Sequence, residues 1–186
     1  MLRSIIRPVI TLWEKFFSWA ENINPIENSP YGLLRMSVHP YKGRPTSLDD
    51  GTEVSPGDYV LEIHISNLTL AQGVVAGVEV ASDIQLLRLF REEIAHLACL
   101  AQRGKLDPKV KAVWGVTMMG PAMKRLGFAL EPMDEDMGSK IIIAWMTFLK
   151  WVFSPGDTKT ASRKKRRRKG YQYWMSLDQL VNKYTH

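Results

Sequence analysis

Glu62 and His64 stand two residues apart in the stretch YVLEIHISN, residues 59–67. A carboxylate beside an imidazole is acid–base chemistry in miniature: the carboxylate orients the ring and the ring moves a proton. Asn67 adds an amide donor and acceptor at the end of the same stretch, so the group could also bind a polar ligand. The competing reading is an exposed sheet face, since titratable pairs on strands are common without function. Glu92, Glu93 and His96 form a second combination, Glu-x-x-His at two helical offsets. Four-helix carboxylate proteins use that spacing to aim ligands at a metal, but they need a second copy of the motif and further carboxylates. No second copy is present, so an Arg88–Glu92 surface pair at i,i+4 is the simpler expectation, and neither a metal nor another cofactor is expected.

These side chains need elements to aim them. From Tyr59 the chain alternates, with Leu61, Ile63 and Ile65 on one side and Val60, Glu62, His64 and Ser66 on the other. That period is a half-buried strand, and it puts Glu62 and His64 on one face. Pro56-Gly57 reads as a type II turn before it, and Asp50-Gly51 as a tight turn before that. With a strand over residues 32–38, the region predicts a three-stranded antiparallel meander. Further on, residues 110–118, 120–126 and 128–131 read as strand, short helix and strand, a unit whose two strands run parallel. The expected fold class is α+β, with helices packed mainly on one face.

The helices are read from apolar spacing. Leu86, Leu87, Phe90, Ile94, Leu97 and Ala101 make the strongest stripe, opened by Ser82 with Gln85 as a capping box and closed before Gly104. Residues 69–81 are expected to be helical, and Ser139 is expected to cap a helix through Phe153. Ser176 is expected to cap a last helical turn bearing Leu177, Leu180 and Val181. The reading divides the chain into an amphipathic helix over 1–22, one domain over 31–155, a polybasic linker over 157–170 and a docking segment over 171–186.

The formal charge of +6 is unevenly spread. Arg163, Lys164, Lys165, Arg166, Arg167, Arg168 and Lys169 carry seven charges, and the rest of the chain sums to −1. A near-neutral body weakens any claim that the folded domain is itself a nucleic-acid surface. The run suits an anionic membrane first, because Trp174, Tyr171 and Tyr173 follow it and Trp13 in the first helix offers a second anchor. A solvated linker comes next, and sequence-independent phosphate contact with nucleic acid after that. The first helix is too short and charged to span a bilayer. No cleavage site of small residues follows it, so the expected location is the cytoplasm, peripheral to the inner face of the membrane. The single cysteine, Cys99, excludes an internal disulfide framework.

Three ordered segments, PTSLDDGTEVSPGDYVLEIHISN, WGVTMMGPAMKRLGFALEP and YWMSLDQLVNKY, together resemble the YkoP-like domain family of bacteria. Members of that family occur alone and as an accessory domain of polysaccharide deacetylases. The resemblance therefore implies an accessory or binding domain associated with cell-envelope polysaccharide or glycolipid, and it implies no particular reaction or catalytic residue. Deacetylase chemistry uses an Asp with a His-x-x-x-His pair, and His39, His64, His96 and His186 are not so spaced. An enzyme acting on a carbohydrate or lipid through Glu62 and His64 is the alternative. Gly115-Val116-Thr117 followed by Lys124–Phe128 is also similar to the last strand–helix–strand of acyl-CoA N-acyltransferases, which would make Thr117 a ligand contact and the protein acyltransferase-like. Those enzymes cradle pyrophosphate on a Gln/Arg-x-x-Gly-x-Gly turn, which is absent here.

Overall fold

The computed structural model describes residues 12, 16, 18–66, 74–75, 78–79, 83–134, 136–153 and 169–185. Its strands are β1 (Asn24–Pro25), β2 (Leu34–Pro40), β3 (Thr46–Ser47), β4 (Glu53–Val54), β5 (Tyr59–Ile65), β6 (Val74–Val75), β7 (Val78–Glu79), β8 (Val110–Thr117), β9 (Ala129–Pro132) and β10 (Tyr171–Ser176). The helices are α1 (Asp83–Gln102), α2 (Gly120–Arg125), α3 (Met137–Phe153) and α4 (Leu177–Tyr184), and residues 18–20 are also helical.

Six strands form one sheet in the order β1-β2-β5-β8-β10-β9. Every pairing is antiparallel except β5 with β8, where Leu61 faces Val113 and Glu62 faces Trp114. Parallel neighbours need a crossover, and α1 supplies it. The architecture is α+β, as the sequence predicts. Its three-stranded antiparallel portion is β1-β2-β5, while β3 and β4 form a separate two-stranded hairpin. β8 and β9 run parallel to each other, but β10 lies between them and pairs with both.

Strand alternation sorts the sheet into two faces. Leu34, Leu61, Ile63, Val113, Tyr173 and Met175 meet Leu89, Phe90, Ile94, Leu97 and Ala98 of α1, with Leu180 of α4, in the main core. The stripe read from the sequence is the buried side of α1, widened by Leu89 and Ala98. Gly104 closes that helix at φ +66°, with Lys105 N–H donating to Leu100 O and Gly104 N–H to Ala101 O. This is a Schellman end, which a residue without Cβ enters at least cost. On the opposite face Val60, Ala112 and Trp174 pack under Tyr41, Leu48 and Val54, so the β3–β4 hairpin covers one half of it.

The local turns follow their residue types. Asp58 N–H donates to Ser55 O at 3.0 Å across Pro56-Gly57, with Gly57 at φ +96°, the positive value that the third position of a type II turn requires. Ser176 opens α4 by accepting the N–H of Gln179 at 3.0 Å and donates to Asp50 at 2.5 Å, tying the hairpin tip to the helix. Two expectations are corrected. Within 69–81 the described residues form the hairpin β6–β7, with Val75 facing Val78, where β-branched side chains favour a pleated strand. The residue capping α3 is Asp136, whose carboxylate accepts Ser139 N–H at 2.7 Å; it precedes the helix by one position, where an acceptor reaches the free N–H groups. Among the described residues no helix is long and apolar enough to cross a membrane.

Candidate functional site

The other half of the second sheet face is polar. Alternation places Arg35, Ser37 and His39 of β2 beside Glu62 and His64 of β5, with Ser37 opposite Glu62 and Arg35 opposite His64. Trp114 of β8 lies across from Glu62 on the other side. The face is therefore crossed by three strands whose registers converge on Glu62.

Glu62 is the centre of this arrangement. Its Oε2 lies 2.9 Å from Nε2 of His39 and 3.5 Å from Nε2 of His64. The three side chains are 21%, 33% and 27% exposed, so the cluster is half-buried. Burial pushes the Glu62 carboxyl up, but contact with the His64 and His39 rings more than reverses this and holds it below its ordinary range. Glu62 is thus an ionised acceptor and a weak base. His39 also has Nδ1 at 3.1 Å from Pro40 O, so both of its nitrogens face acceptors. His64 Nε2 is buried and makes no hydrogen bond, because the approach to Glu62 stops at 3.5 Å.

An aromatic wall borders the cluster. The His39 and Trp114 rings meet edge-on at 6.0 Å, Tyr41 stands edge-on to both Trp114 and Trp174, and the two indoles lie 5.9 Å apart. Trp114 donates its N–H to Gln172 Oε1 at 3.0 Å, which fixes the ring. At the other end Arg35 donates to Ser18 Oγ and Ile23 O, both at 3.1 Å, and lines an open groove with Trp19, Asn22 and Asn24. A second open groove, between Thr52, Lys111 and Asp178, lies on the far side of the hairpin.

The structure thus joins Glu62 and His64 on one face and adds His39, which the sequence reading left out. The signal for His39 is its alternation with Arg35 and Ser37, but its relevance depends on the β2–β5 register. Asn67, Trp13 and Arg163 through Arg168 lie outside the described residues, and Lys169 is exposed. Thr117 is not part of the cluster: its hydroxyl accepts Met119 N–H at 2.9 Å and caps the turn into α2. Gly115 lies against the Tyr173 ring on the core side, where an added Cβ would fall 2.3 Å from the Tyr173 hydroxyl.

The Glu-x-x-His segment of α1 holds a loop. Glu93 is fully buried and accepts from Ser29 Oγ, Tyr31 N–H and Leu33 N–H. Glu92 pairs with Arg88 as the i,i+4 expectation has it and also accepts the Tyr31 hydroxyl. His96 Nε2 lies 2.7 Å from Glu27 O. Among the described residues no three His, Cys, Asp or Glu side chains are grouped to hold a metal.

Comparison with known proteins gives one family. The YkoP domain model matches residues 3–184. Among individual proteins, the chain is similar to "Uncharacterized protein YkoP" of Bacillus subtilis (strain 168), 24% identical over 125 residues that cover 64% of this chain and 67% of that one. No solved structure matches.

Proposed function

The chain belongs to the YkoP domain family, and we propose that it is a binding domain whose polar sheet face receives a hydroxyl-rich headgroup of the carbohydrate or glycolipid kind. The observation that carries this reading is the Glu62 carboxylate, held ionised between His39 and His64 with the half-buried Trp114 ring beside it. A sugar presents hydroxyls that donate to a carboxylate and accept from imidazole, and an apolar C–H face that rests on an aromatic ring. Sites of this kind combine a few placed polar groups with aromatic surface.

The reading places the domain at the inner face of a membrane, in the handling of envelope polysaccharide or glycolipid. The support is the basic run 163–169, which an anionic leaflet attracts by about 1 kcal/mol per charge near the surface. Calorimetric titration with an N-acetylglucosamine oligomer and with a soluble glycolipid headgroup tests the binding. Wild type takes up one of them and folded His64→Ala does not; no heat with either probe contradicts the reading.

One observation favours a second, catalytic reading. His64 stands 3.5 Å from the ionised Glu62 carboxylate on one strand face, a carboxylate–imidazole pairing of the kind that moves protons in general acid–base catalysis. Turnover of a bound carbohydrate or lipid, lost in His64→Ala with binding retained, distinguishes this enzyme from the binding domain.

A further inference from the structure

We propose that the outward face of α3 seats the protein on an anionic lipid bilayer; this rests on the peripheral-membrane reading and names the element that does it. Met137, Ile141 and Trp145 recur every four residues along the helix and, with Ile142, are 71%, 64%, 41% and 42% exposed. A surface helix ordinarily turns polar side chains outward. Here the inward side is occupied too: Ser139 is buried, Ile143 lies against Gly170, and the Thr147 hydroxyl reaches Met118 Sδ. The outward stripe is therefore surplus to what holds α3 in place, and a contiguous exposed apolar patch marks a surface that meets something.

Charge selects the occupant. Residues 137–171 carry ten lysines and arginines against one acidic residue, Asp157, a balance of +9 that leaves −3 for the remainder. An apolar helix followed by a basic run matches the layering of an anionic leaflet, with acyl chains inside and phosphates above. A second copy of the chain would bring the same +9 to a self-matching interface, where like charges oppose each other. Seventeen residues interrupted by Lys140 and Lys150 reach roughly 25 Å and cannot span the hydrocarbon core, so the helix lies in the interface.

The test is co-flotation of the full chain with vesicles of phosphatidylcholine alone and of phosphatidylcholine mixed with phosphatidylglycerol, at low and high salt. Two variants accompany wild type: I141S/W145S, whose positions are exposed, and R166E/R167E/R168E. Circular dichroism and thermal midpoints check that each is folded. The expected result is binding to the anionic vesicles that salt weakens without abolishing, and that I141S/W145S weakens about tenfold or more, the effect of losing two buried apolar side chains. Undiminished binding by I141S/W145S, with loss in the triple variant, overturns the assignment of α3 and leaves peripheral attachment standing. Failure of wild type to bind either vesicle removes both. A self-association that I141S/W145S abolishes, with no vesicle binding, makes a second copy the occupant and likewise overturns the proposal.

Discussion

The Ser29 hydroxyl lies 2.6 and 2.7 Å from the two carboxylate oxygens of Glu93, a residue 64 positions away and fully buried in α1. The same carboxylate takes the N–H groups of Tyr31 and Leu33, so one side chain satisfies the loop that enters β2. Glu93→Ala would leave three donors without their acceptor. Its predicted cost is about 3 kcal/mol or more, against about 1–2 kcal/mol for Ser29→Ala, which removes one of those donors and the acceptor of Gly32 N–H. Urea midpoints of the two variants measure this, and equal midpoints would contradict the assigned role.

Gly115 is a packing position on β8. A Cβ there meets the Tyr173 hydroxyl at 2.3 Å and its ring at 2.4 Å, and that phenol is buried with its O–H donated to Ile63 O. Tyr173 cannot swing aside without giving up that bond. Gly115→Ala is therefore predicted to cost about 1–3 kcal/mol as an overpacked core. The paired variant Gly115→Ala/Tyr173→Phe recovers part of the loss, as thermal unfolding will show.

Ser176 closes a chain of contacts from the hairpin tip to the last helix. Its oxygen accepts Gln179 N–H and its proton goes to Asp50, which in turn accepts Thr52 N–H at 3.0 Å. Burial pushes the Asp50 carboxyl up, but the bonds from Ser176 and Thr52 outweigh this and hold it low. Ser176→Ala removes the cap and a partner of Asp50 together, so it is predicted to cost about 1–2 kcal/mol, the upper range for a cap. Ser176→Thr, which keeps the hydroxyl, is expected to retain most of the stability.

Glu62 makes stability depend on pH in a definite sense. Its folded value lies below the ordinary 4.5 because the contacts with His64 and His39 outweigh burial. Below that ordinary value the unfolded chain takes up the proton first, so stability falls with falling pH. The contribution is complete above pH 4.5 and is lost as the pH drops through the folded value. Glu62→Gln lacks it, so its unfolding free energy should vary less steeply than wild type between about pH 4.5 and the acid limit. Denaturation at a series of pH values checks this, and parallel curves would contradict it.

Much of this was legible where one element suffices to explain it. The stripe Leu86–Ala101 gives α1, alternation from Tyr59 gives β5 and joins Glu62 to His64, and Ser176 shows itself as a cap. What escaped depends on partners distant in the chain. The aromatic run at Tyr171 reads as a segment before a helix, and nothing local says that it is a strand between β8 and β9. His39 belongs to the site only because Pro40 pairs with Tyr59, a register that a slip of one residue would undo. Glu93 sits among polar neighbours in the sequence, and its burial follows from how the loop at Ser29 folds over α1. The short hairpin at Val74–Glu79 was hidden by small residues that serve a helix or a turn equally well.

The central claim is that the Glu62 face is a place where a polar ligand binds. Its most direct test follows the imidazole resonances of His39 and His64 and the indole N–H of Trp114 while an N-acetylglucosamine oligomer, or a soluble glycolipid headgroup, is added to wild type and to folded Glu62→Gln. The account predicts saturable shifts at all three residues with one of the probes, lost or weakened at least about tenfold in the variant. Shifts confined to other parts of the protein, or identical in Glu62→Gln, would contradict it.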